Sequence, residues 1–325
     1  MSEPEPGLQA LSCLGQRATS PAGEALFAAL NTLYRPELPE DEPDRYHAWV
    51  LVRRLGLELG FTDSEYQAAA PRHRWRHGEL VLTQVYFYSD RDDIRPYRGP
   101  LPYGLAFGDD RAQTREKLAA VEGTRHSWLT DTWDVDGYRL NVVYAADSQG
   151  IARLACRVMP APIERKRPAS RPTLAEVVDL LGEPIDSPAL TTLWGAVIDA
   201  GRRRAAIEDG EIDLLATHGA TIEFATDCAA GPGVRSVTLY RNRDRESAGW
   251  EGELPLGLVF DDSPEALFSK IAIKPAQHAD SALTGYVVWE RERFTLHVLY
   301  SNVDNRLLRI RLLAPGQWAP IRLMG

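Results

Sequence analysis

The stretch YRGPLPYGLAFGDD, residues 97–110, recurs later in the chain as WEGELPLGLVFDD, residues 250–262. When Leu101 is placed over Leu254, the Leu-Pro and Gly-Leu pairs of the two stretches coincide. Self-similarity over this length indicates that one structural unit is built twice.

Two further blocks repeat in the same order: LSCLGQRATSPAGEALFAALNT (11–32) matches VDLLGEPIDSPALTTLWGAVID (178–199), and WDVDGYRLNVVYAAD (133–147) matches WERERFTLHVLYSNV (289–303). Three collinear blocks predict a first module at residues 1–160 and a homologous second module at residues 173–325. Between them lies APIERKRPASRP, residues 161–172, whose prolines and unbroken basic run are typical of a solvated linker.

Each module is predicted to run helix, three strands, helix, three strands. Ser-Pro pairs at Ser20 and Ser187 favour helix starts, with the serine as N-cap and the proline in the first turn. The second helix is capped by Asp110 in one copy and by Ser263 in the other. The six predicted strands that precede the second helices are Ala48–Arg53, Gly56–Phe61 and Leu80–Tyr88, then Ile212–Ala216, Gly219–Phe224 and Arg235–Arg241.

A hairpin closes each module, and its alternation defines a buried face. Asp136-Gly137 is a strong two-residue turn signal, and the apolar residues after it alternate with Arg139 and Asn141. The residues predicted to be mostly buried are Trp133, Tyr138, Leu140, Val142, Trp289, Leu296 and Val298. The fold class is therefore α+β: two tandem modules, each an antiparallel sheet with helices packed on one face.

The bulk composition places the chain among folded proteins and argues against two classes of partner. Hydrophobic residues make up 44% and charged residues 26%, as in globular domains, and no run is long enough to span a membrane. The net charge of −9 divides almost evenly: residues 1–160 hold 18 basic and 23 acidic residues, which leaves 19 and 23 for the rest. Such acidity is unfavourable for binding nucleic acid and suits a basic partner.

The start of the chain and its cysteines indicate a cytoplasmic protein. MSEPEPGLQALSCLG carries glutamates where a secretory signal needs basic residues and an apolar core. Cys13, Cys156 and Cys228 are odd in number and lack CxxC spacing, so we expect reduced, buried thiols rather than a disulfide framework.

The basic segment PRHRWRH, residues 71–77, is a candidate binding site for a metal or for nucleic acid. His73 and His77 in PRHRWRH have metal-ligand spacing, but the three surrounding arginines repel a cation. The same run, with Trp75 available for stacking, could bind nucleic acid. A solvated basic loop is the favoured interpretation, so we expect no metal, cofactor or nucleic acid.

Carboxylates cluster at three places: Asp90, Asp92 and Asp93, then Asp109 and Asp110, then Asp131, Asp134 and Asp136. All three clusters fall at predicted strand ends, caps or turns, where aspartate is favoured because it bonds the local backbone. His278 and His297 are predicted to lie in a loop and on the polar face of a strand, without acidic partners. No motif of a hydrolase, nucleotide-binding protein or metalloenzyme is present, so we expect a protein that is not an enzyme.

The ordered set of a Ser-Pro-capped helix, a Gly-centred hairpin at Gly56–Phe61, YxGxLPxGLxF, a second capped helix and WxxxGYxLxVxY resembles a known class. It is similar to the small acidic α+β proteins encoded beside bacterial polymorphic or type VI secretion toxins, which act as immunity proteins. More distantly, it resembles the helix-plus-strand modules of outer-membrane assembly lipoproteins. The resemblance covers most of both modules and rests on turns and core positions.

The resemblance implies an immunity protein that binds and occludes a cognate secreted toxin, which could be a basic nuclease-type effector. We expect a monomer before it meets that partner, and the acidic loop with Asp90, Asp92 and Asp93 as the contact. The alternative is an effector chaperone or adaptor of a secretion system, which would bind the same protein without inhibiting it. An enzyme is the third possibility.

Overall fold

The computed structural model describes residues 5–89, 93–135, 137–146, 149–165, 171–225 and 233–319. The chain divides into two compact units, Met1–Ala161 and Pro162–Gly325, which are called the first and second modules from here on. None of the described helices combines the length and the apolar composition needed to cross a bilayer.

The described residues of the first module form four α-helices and seven strands: α1 Pro6–Ser12, α2 Pro21–Ala29, β1 His47–Val52, β2 Leu57–Asp63, α3 Ser64–Gln67, β3 Leu80–Tyr88, α4 Arg111–Lys117, β4 Arg125–His126, β5 Thr130–Val135, β6 Tyr138–Tyr144 and β7 Ile151–Arg157. The strands form one antiparallel sheet in the order β1-β2-β3-β7-β6-β5-β4. Its core joins Leu26 and Phe27 of α2 to apolar strand residues such as Leu59, so the helix covers one face of the sheet.

Where the structure describes the second module, it also has four α-helices and seven strands: α5 Leu174–Asp179, α6 Pro188–Trp194, α7 Ala200–Asp209, β8 Glu211–Leu214, β9 Ala220–Ala225, β10 Gly233–Tyr240, α8 Pro264–Lys270, β11 Gln277–Asp280, β12 Thr284–Glu290, β13 Thr295–Ser301 and β14 Arg306–Leu313. The strand order, read from the other edge, is β8-β9-β10-β14-β13-β12-β11. This is the order of the first sheet, strand for strand. The predicted fold class is confirmed.

The predicted caps form as expected from local chemistry. Ser20 Oγ accepts the N–H of Gly23, and Ser187 Oγ accepts the N–H of Ala189. Asp110 forms a reciprocal capping box at the start of α4, and Ser263 Oγ accepts a backbone N–H at the start of α8. Each cap satisfies an N–H group that the first helical turn leaves without an intrahelical acceptor.

Burial of the hairpins follows the sequence prediction on one face and departs from it on the other. Trp133, Leu140, Val142, Trp289, Leu296 and Val298 are almost fully buried, and Tyr138 is partly buried. Arg139 and Asn141, predicted to face solvent, are also buried. Arg139 donates to Asp134 and Asn141 donates to Thr132, so partners on β5 satisfy their polar atoms.

Each sheet has one strand more than predicted. The extra strands are the short edge strands β4 and β11, which pair with β5 and β12. A serine-centred turn makes each of these connections. Ser127 Oγ accepts the N–H of Thr130 at 3.0 Å, and Ser281 Oγ accepts the N–H of Thr284 at 3.1 Å. The sequences SWLT (127–130) and SALT (281–284) are a fourth repeated block.

The predicted linker is partly packed onto the second module. Ile163 exchanges two 2.9 Å hydrogen bonds with the Asn242 side chain, and Arg165 is largely buried beside Glu251. The prediction of a fully solvated segment is therefore wrong for Arg165. The guanidinium group of Arg165 pairs with the Glu251 carboxylate, and this ion pair holds the side chain against the module.

Candidate partner-binding surface

The acidic loop predicted as the partner contact is described only in part. Asp90 and Asp92 lie outside the described residues. Asp93 is half-exposed, and its Oδ2 lies 3.3 Å from a guanidinium nitrogen of Arg53. An ion pair so exposed contributes little to stability, and the acidic loop stays a predicted contact.

A second surface feature recurs in both modules, in the repeated stretch at residues 97–110 and 250–262. Residues 101–110 are called the first turn, and residues 254–263 the second turn. Tyr103 has φ 59° and Leu256 has φ 58°, both in the left-handed region. The next residues, Gly104 and Gly257, also have positive φ, at 66° and 69°. Left-handed backbone at a residue with a Cβ costs roughly 1–2 kcal/mol, so the surrounding structure must impose it.

A lysine clamp imposes that conformation on the first turn. Lys117 Nζ, at the end of α4, donates to Gly104 O at 2.9 Å and lies 2.8 and 2.7 Å from the two carboxylate oxygens of Asp109. The same carboxylate accepts the backbone N–H of Ala106 at 2.7 Å. Three parts of the turn are thus tied to one charge pair, of which Asp109 is mostly buried.

The second turn repeats the clamp atom for atom. Lys270 Nζ donates to Gly257 O at 2.9 Å and to both oxygens of Asp262 at 2.8 Å. Asp262 accepts the N–H of Val259 at 2.8 Å. The interpretation of Asp109 as a residue that bonds only the local backbone is therefore incomplete, since its main partner is a lysine eight residues away.

The clamped turns present apolar side chains to solvent. Tyr103 and Leu256 are each 42% exposed, and Val259, also in the second turn, is 51% exposed. Behind them, Leu105 and Leu258 are buried and anchor the turns in the core. Such an arrangement offers a large side chain at little further cost in conformational entropy, which is the property of an interface anchor.

Asp131 and Asp134 of the third carboxylate cluster lie inside strand β5. Asp131 is fully buried and accepts hydrogen bonds from Arg115 at 2.8 and 2.9 Å and from Tyr144 at 2.9 Å. His126 Nδ1 is 3.0 Å away, at ion-pair distance but not aligned as a hydrogen bond. Burial raises the pKa of Asp131, but Arg115 and His126 outweigh it and hold that pKa below its usual value.

Asp134 is held in the same way by arginines. Its two oxygens accept hydrogen bonds from Arg125 and Arg139 at 2.8 to 2.9 Å. Partial burial raises the pKa of Asp134, yet these bonds lower it to about 2. The cluster was predicted at strand ends, caps or turns: Asp131 and Asp134 lie near the two ends of β5, but their carboxylates bond arginine side chains, and Asp136 lies outside the described residues.

The second module has a related cluster that sequence reasoning missed. His278 Nε2 lies 2.8 Å from an Asp280 oxygen and 2.9 Å from the Tyr300 hydroxyl, which itself donates to Asp280. His278 was predicted to lie in a loop without an acidic partner, and that prediction is wrong. The pattern His-x-Asp in a strand was the available signal, because residues two apart share a face.

The strand registers make these two clusters equivalent. With Trp133 placed over Trp289, His126 corresponds to His278 and Tyr144 corresponds to Tyr300. The carboxylate comes from β5 in one module and from the end of β11 in the other. Both clusters fasten a short edge strand to the sheet, so we assign them to the structure of the sheet edge.

The basic segment around Trp75 is packed into the first module. Trp75 is 7% exposed, donates to Ala70 O and makes edge-to-face contacts with Tyr46 and Tyr66, so its ring is not available to stack on a base. Arg76 donates to backbone carbonyls of the segment Pro39–Arg45. Among the described residues no group of three or more metal-ligating side chains comes together.

Comparison with known proteins finds little similarity. No protein-family model matches the chain, and no curated protein matches it. A solved structure of a DUF4309 family protein (YjgB) from Bacillus subtilis subsp. subtilis str. 168 is 13% identical, with a TM-score of 0.26. That match covers 47% of this chain and 92% of the other. At such a TM-score the likeness carries no argument about function.

Proposed function

We propose that this protein is an immunity protein, which binds a cognate secreted bacterial toxin and occludes its active site. The observation that carries the proposal is the pair of lysine-clamped left-handed turns. The same strained backbone and the same clamp are kept in both modules, while the residue on display changes from Tyr103 to Leu256. A strained conformation that is retained while its side chain varies is what a recognition element requires.

Preorganisation supports tight inhibition. An immunity protein must capture its toxin before damage occurs, so a surface that needs no ordering on binding is favoured. The clamps hold both turns before any partner arrives. The net charge of −9 complements a basic toxin, such as a nuclease, and would accelerate capture at low salt.

Co-expression with the toxin encoded by the neighbouring gene tests the proposal. We expect wild-type protein to restore growth and to form a stable complex, and the double variant Tyr103→Ala, Leu256→Ala to lose protection. The matched control is Tyr34→Ala, Ile207→Ala, which truncates one exposed side chain of similar size in each module. The control should protect as the wild type does.

The outcome also separates immunity from the adaptor alternative. A stable complex in which the toxin remains active would contradict inhibition and would favour a chaperone or adaptor. Equal protection by the double variant and by the control would show that the turns are not the anchors.

A further inference from the structure

The two modules contain equivalent pockets beside the turns. The segment Trp250–Gly252 of the second module corresponds to Tyr97–Gly99 of the first in the repeat that contains the turns. The surroundings of the glycine in the first hairpin of each module are also equivalent. Gly56 and Gly219 both have φ 68°, and a Cβ on either would lie within 2.4 Å of the passing chain at residue 97 or 250. Each pocket is walled by that segment and by residues just before the module's first helix.

In the second module two arginines of the chain itself, Arg165 and Arg171, occupy this pocket. Arg165 donates to Gly249 O, and Arg165 and Arg171 each place a guanidinium nitrogen 3.2 Å from Glu251. The remaining cavity is 40 Å³. The side chains of two residues of the chain's own linker thus lie in this site, held by the Glu251 carboxylate and, for Arg165, by the carbonyl oxygen of Gly249.

In the first module the pocket is open and its charge is reversed. Its volume is 890 Å³, and Arg98 stands where the second module has Glu251. Arg54 and Arg95 also line it, and the one carboxylate on the wall, Glu5, accepts bonds from Tyr97 and Gly7. Neither Arg95 nor Arg98 forms an ion pair with any other described residue.

We propose that the open pocket of the first module binds an acidic peptide segment of a partner protein. The second module provides the precedent for polypeptide side chains in this site, and the exchange of Glu251 for Arg98 reverses the charge it selects. The volume exceeds what one phosphate group needs, and guanidinium groups suit carboxylates because they pair with them in bidentate geometry. As a contact to the toxin this site rests on the proposed function, whereas as a peptide site it does not.

Two synthetic peptides test this on the full chain. One is residues 161–172 of this protein, and the other is the same peptide carrying Arg165→Glu, Lys166→Glu, Arg167→Glu and Arg171→Glu. By fluorescence anisotropy at low ionic strength, the acidic peptide should bind wild-type protein and the basic one should not. Arg98→Glu and Arg95→Glu should each weaken the acidic peptide by roughly tenfold. Arg291→Glu, an exposed change of equal charge in the second module, should leave it unchanged.

A variant that gains binding of the basic peptide is a more stringent test of the charge preference. The double variant Arg95→Glu, Arg98→Glu should now bind the basic peptide, because its pocket carries the charge of the filled one. Absence of saturable binding of the acidic peptide, or equal binding by Arg98→Glu and Arg291→Glu, would overturn the proposal. So would binding of inorganic phosphate with the same sensitivity to Arg98→Glu but without peptide binding. Toxin neutralisation that persists in either case would leave the proposed function standing.

Discussion

Removing the clamp of the second turn should destabilise the second module. Lys270→Met keeps the length of the side chain but deletes its two 2.8 Å contacts with Asp262 and its 2.9 Å bond to Gly257 O. The Asp262 side chain is 8% exposed, and its carboxylate also accepts a hydrogen bond from the Val259 N–H. A nearly buried negative charge would lose its counter-ion.

The size of the effect follows from the burial of the two partners. Breaking a fully buried ion pair costs about 3–5 kcal/mol. Lys270 is 36% exposed, so water reaches the pair and can hydrate the carboxylate in part. We therefore expect a loss of about 2–3 kcal/mol. Lys117→Met should cost a similar amount in the first module, because its contacts have the same lengths.

Hydrogen exchange followed by mass spectrometry is the suitable assay, since peptides from each module report its opening free energy separately. Adding Asp262→Asn to Lys270→Met removes the unpaired charge and should recover about 1 kcal/mol, as a double-mutant cycle would measure. Losses below about 0.5 kcal/mol in both modules would refute the view that the clamps hold the turns.

Three further predictions concern the core, the turn backbone and pH. Trp133→Ala or Trp289→Ala should cost about 3–5 kcal/mol in denaturant unfolding, and a loss under about 1 kcal/mol at both would contradict their core role. Leu256→Gly should raise the unfolding free energy by about 0.5–1 kcal/mol by relieving a positive φ, yet weaken partner binding in titration calorimetry. Burial and the charges of Arg311 and Arg309 lower the pKa of His297 to about 4, so the unfolded chain takes up a proton below about pH 6.5 that the folded module excludes. Stability should therefore fall by about 2 kcal/mol between about pH 8 and pH 5, and His297→Gln should abolish most of that fall.

The repeat made much of the fold predictable. Caps such as Ser20 and Ser187 depend on a few neighbouring residues, so their chemistry is readable in the sequence. Alternation around Trp133 and Trp289 fixed the buried face of each hairpin. Seeing each feature twice separated these signals from coincidence.

The short edge strands and the charge networks could not be predicted in the same way. Strands β4 and β11 are two and four residues long, too short for alternation to mark them. Asp131 looked like a turn residue because its partner Arg115 comes from a helix, and contact between them requires the assembled sheet. Buried arginines such as Arg139 break the polar-outside rule, because a specific carboxylate satisfies them.

The acidic loop stays a prediction, since Asp90 and Asp92 lie outside the described residues and Asp93 pairs with Arg53. The turns had a visible signal, since LPxGL recurs with a lysine thirteen residues after its glycine in both modules. The left-handed backbone of Tyr103 and Leu256 could not be predicted from the sequence, because the bond from the lysine to each turn forms only in the folded module.

A hydrogen-exchange footprint of the full chain bound to a toxin that it neutralises tests most directly whether the two turns form the proposed interface. Backbone amides in residues 101–110 and 254–263 should become protected on binding, and the Tyr103→Ala, Leu256→Ala variant should lose that protection together with inhibition of the toxin. A complex that inhibits the toxin while exchange in both turns stays as fast as in the free protein would contradict the account.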